Sequence, residues 1–183
     1  MSDQVCASCL DFSIDKVVKS RDDMKPLWLY KENYVEQFIN NTTNFSNRNP
    51  KYSDIKMDLN LNKFEGRKIL YWAATNKFSH SPIISDAKKA YHKFENSGVT
   101  SVINGKACFK FKCPQLYSTV AKNKSKKQTF FRHLHFVVSN KDNNKWLPQI
   151  YTKIVVCKYN FKKTIEMINS GLYVIINALP CQY

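Results

Sequence analysis

Apolar residues gather in short blocks between residues 67 and 155, and the spacing inside each block predicts an element. Arg67-Lys68-Ile69-Leu70-Tyr71-Trp72-Ala73-Ala74 is an almost continuous apolar run of strand length. Val99 to Ile103 is a second strand. Asn104-Gly105 follows it as a hairpin signal, because a two-residue turn of type I′ needs positive φ at both positions. Ala107 to Cys113 alternates, with Phe109 and Phe111 on one face and Lys110 and Lys112 on the other. Arg132 to Ser139 and Gln149 to Lys158 read as two more strands. Short strands separated by turn signals predict a mainly β fold, an antiparallel β-sandwich.

Helical periodicity occupies the flanks. Pro26 opens Leu27-Trp28-Leu29-Tyr30, and Tyr34, Val35, Phe38 and Ile39 continue the spacing of an amphipathic helix with proline in its first turn. Residues 40–66 are rich in Asn, Ser, Thr and Asp and read as a long connection with short irregular pieces. Asp86 to Phe94 fits a short helix or an ordered loop, and propensity favours the helix. Lys162 to Ser170 reads as a helix ended by Gly171, with a strand from Tyr173 to Ala178. The expected layout is an arm, helix and linker over 1–66, a sandwich over 67–159, and a short αβ tail over 160–183. No internal repeat is visible.

Composition narrows the class. An apolar fraction of 43% over 183 residues is enough for a packed core and argues against disorder. Lys and Arg number 29 against 14 Asp and Glu, a net charge of +15, which favours anionic partners. No recognition helix, zinc-finger spacing or RNP-type strand accompanies that charge. The basic stretch Ala121 to Gln128 reads as a solvated loop. The first residues lack a leader's apolar segment and no apolar run is long enough to span a bilayer, so a cytoplasmic protein with free thiols is expected. Cys6-Ala-Ser-Cys9 has CxxC spacing without a second pair, a weak signal for zinc or redox chemistry. Cys108 and Cys113 lie an odd number of residues apart and face opposite ways on one strand.

The densest chemistry is His133-Leu134-His135. On a strand, residues i and i+2 project to one face, so two imidazoles stand side by side at a separation that suits one metal ion. The alternative is a pair of ordinary hydrogen-bonded core histidines. Tyr117 follows Cys113-Pro114 and is expected at a sheet edge; Tyr91 precedes the hairpin and otherwise serves as aromatic packing for Phe94. Two phenols and two imidazoles make a nitrogen and oxygen donor set. A phenol with a pKa of about 10 ligates at neutral pH only where a cation stabilises the phenolate. Hard phenolate favours Fe(III).

Over residues 67–155 the chain resembles the intradiol ring-cleavage dioxygenases. The resemblance rests on Ile69-Leu70-Tyr71-Trp72-Ala73-Ala74, Ala90-Tyr91-His92-Lys93-Phe94, Cys113-Pro114-Gln115-Leu116-Tyr117, Phe131-Arg132-His133-Leu134-His135-Phe136 and Pro148-Gln149-Ile150-Tyr151, in that order. It implies a β-sandwich with a non-heme Fe(III) held by Tyr91, Tyr117, His133 and His135. It also implies Gln149 beside an aromatic catechol-type substrate, and cleavage between the two hydroxylated carbons. The chain departs from the family at two places. Thr129-Phe130-Phe131-Arg132 stands where an Arg-Pro pair precedes the first histidine, and Ala90 replaces the glycine before the first tyrosine. Strand alternation turns Arg132 away from the histidine face. A lesser resemblance covers Thr164 to Tyr183, which is similar to the opening helix and strand of a rhodanese-like domain. Cys181 does not match that family's nucleophile; the segment is either the start of such a domain or a tail packed on the sandwich. The competing expectation, from charge alone, is a catalytically inactive sandwich that binds nucleic acid or another polyanion. The sequence leaves oligomeric state open.

Overall fold

The computed structural model describes residues 34–75, 83–120, 127–130 and 132–155. The arm, the CxxC pair, the start of the first helix, Cys157 and Cys181, and the αβ tail all lie outside the described residues, as does most of the basic stretch.

The described chain is mainly β. Helix α1 (Tyr34–Asn41) is followed by β1 (Ile55–Asn60), a 3-10 turn at Asn62–Phe64, β2 (Lys68–Ala73) and β3 (Ile83–Ile84). Next come α2 (Ala87–Ala90), a 3-10 turn at His92–Phe94, β4 (Ser97–Ile103), β5 (Lys106–Phe111), β6 (Leu116–Val120) and β7 (Lys127–Phe130). The last two strands are β8 (His133–Val138) and β9 (Tyr151–Ile154). Six strands form an antiparallel sheet in the order β1-β5-β4-β2-β8-β9. A small mixed sheet has the order β3-β6-β7, with β3 parallel to β6. Where an antiparallel β-sandwich was expected, the described residues form one six-strand antiparallel sheet and one small mixed sheet.

The large sheet curls. Three strand spacings separate β5 from β8, about 14 Å on a flat sheet. The rings of Phe109 on β5 and Phe136 on β8 nevertheless meet at 5.7 Å. Tyr71 of β2 bridges part of that gap, edge-on to Phe109 at 5.2 Å. The concave side is lined by Leu59, Ile69, Tyr71, Ala107, Phe109, Phe111, Leu134 and Phe136. The convex side carries Leu70, Trp72, Val99 and Val137, covered by α1, α2 and the small sheet. Strands β2 and β8 are thus buried on both faces, which explains their unbroken apolar runs.

Several expectations need correction. Residues 55–60 are not connection but β1, paired with β5 through Ile55↔Phe111 to Asn60↔Lys106. Its alternation of Ile55, Met57 and Leu59 with Lys56, Asp58 and Asn60 packs one side of the edge strand on the concave core. Lys127 and Gln128, read as loop, begin β7. Tyr117 is not at an edge, because β6 is the central strand of its sheet. Cys113 is disulfide-bonded, where free thiols were expected; Cys108 is a free thiol. The Asn104-Gly105 turn has positive φ at both residues, 51° and 71°, and joins β4 to β5 in the expected way.

Tyr71 gives a measurable pH dependence. Burial pushes its phenol up to about 12, while the unfolded chain ionises near its ordinary value of about 10. The folded state holds the proton longer, so stability is intact below about pH 10 and declines as pH rises toward 12. Tyr71→Phe should flatten that decline by about 2–3 kcal/mol between pH 10 and 12 in chemical denaturation series. An unchanged slope would count against the burial argument.

Candidate metal centre

Strand β8 presents alternate residues to opposite cores. Leu134, Phe136 and Val138 enter the concave core, and His133, His135 and Val137 face the convex side. Tyr117 comes from the middle of β6 and Tyr91 from the residue that closes α2. Asp86 caps that helix by accepting from the Lys89 amide at 2.8 Å. The Thr75 amide donates to the Ala90 carbonyl, and the Gln115 amide to the Thr75 carbonyl, which ties α2 and the approach to β6 to the end of β2. Buried Asn96 adds bonds from its Nδ2 to the Ala74 and Lys112 carbonyls. Just beyond Tyr91, Lys93 and Phe94 both adopt left-handed φ, 50° and 52°. Phe94 is held there by stacking on Phe38 of α1 at 3.9 Å and 6°.

These elements bring Tyr91, Tyr117, His133 and His135 together, each no more than 2% exposed. His133 Nε2 lies 2.9 Å from the Tyr91 hydroxyl and 3.0 Å from the Tyr117 hydroxyl. The two hydroxyls are 3.3 Å apart. The His135 ring sits 4.6 Å from that of His133 and 5.9 Å from that of Tyr91, centroid to centroid. Its Nδ1 contacts the Thr152 hydroxyl at 2.9 Å, across the β8–β9 register pair His135↔Thr152.

The triangle of Tyr91, Tyr117 and His133 is overfull as a hydrogen-bond network. A neutral imidazole nitrogen either donates one proton or accepts on one lone pair, and each phenol donates once. If Nε2 accepts, both hydroxyls compete for one lone pair or one donates to the other. If Nε2 donates, it has no lone pair left for either hydroxyl. In each tautomer at most two of the three edges carry a well-aligned bond. Two bonds use both phenolic protons, and a central cation would instead take lone pairs from all three atoms at once. Two donors on one metal lie about 2.9 Å apart at right angles and about 3.4 Å apart at tetrahedral angles, for bonds of about 2.0–2.1 Å. The observed edges fall in that interval.

Burial favours the neutral forms of Tyr91 and His135. Burial raises the Tyr91 phenol well above its ordinary range, and Tyr117 adds to the rise. Burial lowers His135 well below the usual histidine range, with neighbouring His133 contributing. Both residues therefore sit at neutral pH in the uncharged form.

Gln149 stands apart from the four. It is exposed, and its side-chain amide donates to the Ile150 carbonyl at 3.1 Å. Among the described residues no three His, Cys, Asp or Glu side chains gather to hold a metal, so any such centre here depends on the phenols. Thr152 was missed from sequence; a threonine between Tyr151 and Lys153 on β9 gives no signal of its own. Trp72, expected as simple core, is fully buried and packs its indole 5.7 Å from the His135 ring. No helix among the described residues is long and apolar enough to cross a membrane. The chain matches no protein-family model, and no curated protein matches it.

Proposed function

We propose that this chain is a non-heme ferric protein of the intradiol-dioxygenase type, its iron held by Tyr91, Tyr117, His133 and His135, with a catechol-type aromatic as substrate. The observation that carries the reading is the buried triangle of two phenols and one imidazole nitrogen, whose three edges match the spacing of donor atoms around one cation. Fe(III) in such a site would supply Lewis-acid polarisation and redox chemistry toward a catecholate and dioxygen. The chain's own part is to fix four donors, to exclude water around them, and to release phenolic protons as the cation enters. The unequal pair of sheets is then a curled variant of the family's sandwich. Gln149 would have to turn from Ile150 to meet a substrate.

The test has two separable readouts. Purified chain loaded with iron should retain the metal through gel filtration and show a red-brown phenolate-to-iron absorption. Added catechol should shift that absorption and consume dioxygen. Failure to retain iron defeats the centre; retention without oxygen uptake defeats only the ring-cleaving activity.

Thr152 offers a finer check. A threonine hydroxyl accepting from His135 Nδ1–H leaves Nε2 as the lone-pair nitrogen, the arrangement typical of a ligand histidine. Thr152→Val should weaken iron affinity about 10- to 100-fold, and Thr152→Ser should restore most of it, in competition with a chelator.

One observation favours a second reading. The charge of +15 suits a polyanion. In that case DNA or RNA binding should weaken linearly on log–log axes with added salt. Such binding should persist when both histidines are replaced.

A further inference from the structure

Trp72 holds a polar atom that the proposed donor set does not use. Its indole is fully buried, and Nε1 meets no hydrogen-bond partner among the described residues. Indole nitrogen can only donate, so no neighbouring N–H can satisfy it, and an unpaired buried donor carries the whole cost of its desolvation. Phenylalanine or leucine would fill the same apolar space without that cost.

The position of this donor is informative. Trp72 pairs directly with His135 across the β2–β8 ladder, and both point to the convex side. The indole lies 5.7 Å from the His135 ring at 35° and meets Phe38 edge-on at 5.7 Å on α1. Tyr91 and Tyr117 belong to the same packed cluster. The side chain that carries this donor therefore packs against the His135 ring and in the same cluster as both phenols. A cation among them attracts an anion as a further ligand, and that anion needs a hydrogen-bond donor on its outer side.

We infer that the Trp72 indole N–H is the hydrogen-bond donor to an anionic ligand bound beside His135 in the metal-loaded protein. The ligand class is a small oxygen or nitrogen anion, or the deprotonated oxygen of a phenolic substrate. This inference rests on the ferric centre, and the experiment separates the two.

Azide is the probe. Iron content is measured first in the wild-type chain and in Trp72→Phe, and both should retain the metal equally. Azide titrated against the visible absorption should bind the variant about tenfold or more weakly, the usual loss for a hydrogen bond to a charged acceptor. In the wild-type chain loaded with diamagnetic Ga(III), azide should move the Trp72 Nε1–H proton resonance downfield. An unmoved resonance, or equal azide affinity in the two proteins, overturns the inference and leaves the metal centre standing. Failure of the wild-type chain to retain iron overturns both. If Trp72→Phe does not fold, the wild-type resonance decides alone.

Discussion

Replacing both His133 and His135 by alanine should abolish iron retention and the visible absorption together. The two imidazoles are half of the proposed donor set, and losing even an outer partner of a ligand histidine costs about 10- to 100-fold in affinity. Loss of two direct donors should exceed 100-fold. Alanine at two buried positions also opens space, so the folded state of the variant needs confirming by circular dichroism. Tyr117→Phe supplies the shape-conserving comparison. In a simple hydrogen-bond network, deleting the Tyr117 hydroxyl removes a working bond to His133 and destabilises the metal-free protein by about 1 kcal/mol. In this triangle Tyr91 lies close enough to donate to His133 Nε2 in its place, so metal-free stability should change less than that while iron affinity falls. A variant that loses stability yet binds iron as before would assign the cluster to core packing.

Gly98→Ala should be a strongly damaging small substitution in the described fold. Gly98 pairs with Tyr71 across β2 and β4, and a Cβ there would collide with the Tyr71 hydroxyl and ring carbon and with the Arg48 carbonyl. The tyrosine cannot swing away, since its hydroxyl donates to the Lys110 carbonyl at 2.8 Å and its ring fills the concave core. The carbonyl is fixed as well, because Arg48 and Val99 exchange backbone hydrogen bonds at 2.9 Å. Overpacking against such surroundings costs about 3 kcal/mol. The expected fall in Tm is roughly 6–12 °C for a chain of this size. A Tm within about 2 °C of the parent would show that the curl of the sheet can relax around the added methyl.

Local pattern made some of this molecule readable and hid the rest. Strands β2, β5 and β8 announce themselves because their apolar residues are contiguous or alternate without interruption, and β4 by its β-branched residues before the Asn104-Gly105 turn. Strand β1 alternates just as cleanly, but its outward Lys56, Asp58 and Asn60 merge with the polar residues around it. Strand β7 hides in lysines for the same reason, and without it Tyr117 looks like an edge residue. The pairing of His133 with His135 follows from a two-residue period, a local rule. Their meeting with Tyr91 and Tyr117 depends on helix α2 and the small sheet folding back over β8, which no local rule states. The curl is equally silent, since it arises from Phe109, Tyr71 and Phe136 finding one another across three strands. Gln149 is exposed, a setting that the pattern around it does not announce.

The two-sided burial of β8 makes its alignment self-checking. Sliding that strand by one residue along β2 would exchange its faces. Two imidazoles would then enter a largely aromatic interior away from Tyr91 and Tyr117, while Leu134 and Phe136 would be pressed among phenols. Both errors are costly at once, so misaligned folding intermediates should be short-lived. A cation that binds only the correct alignment would add a thermodynamic proofreading step to the folding of the sheet.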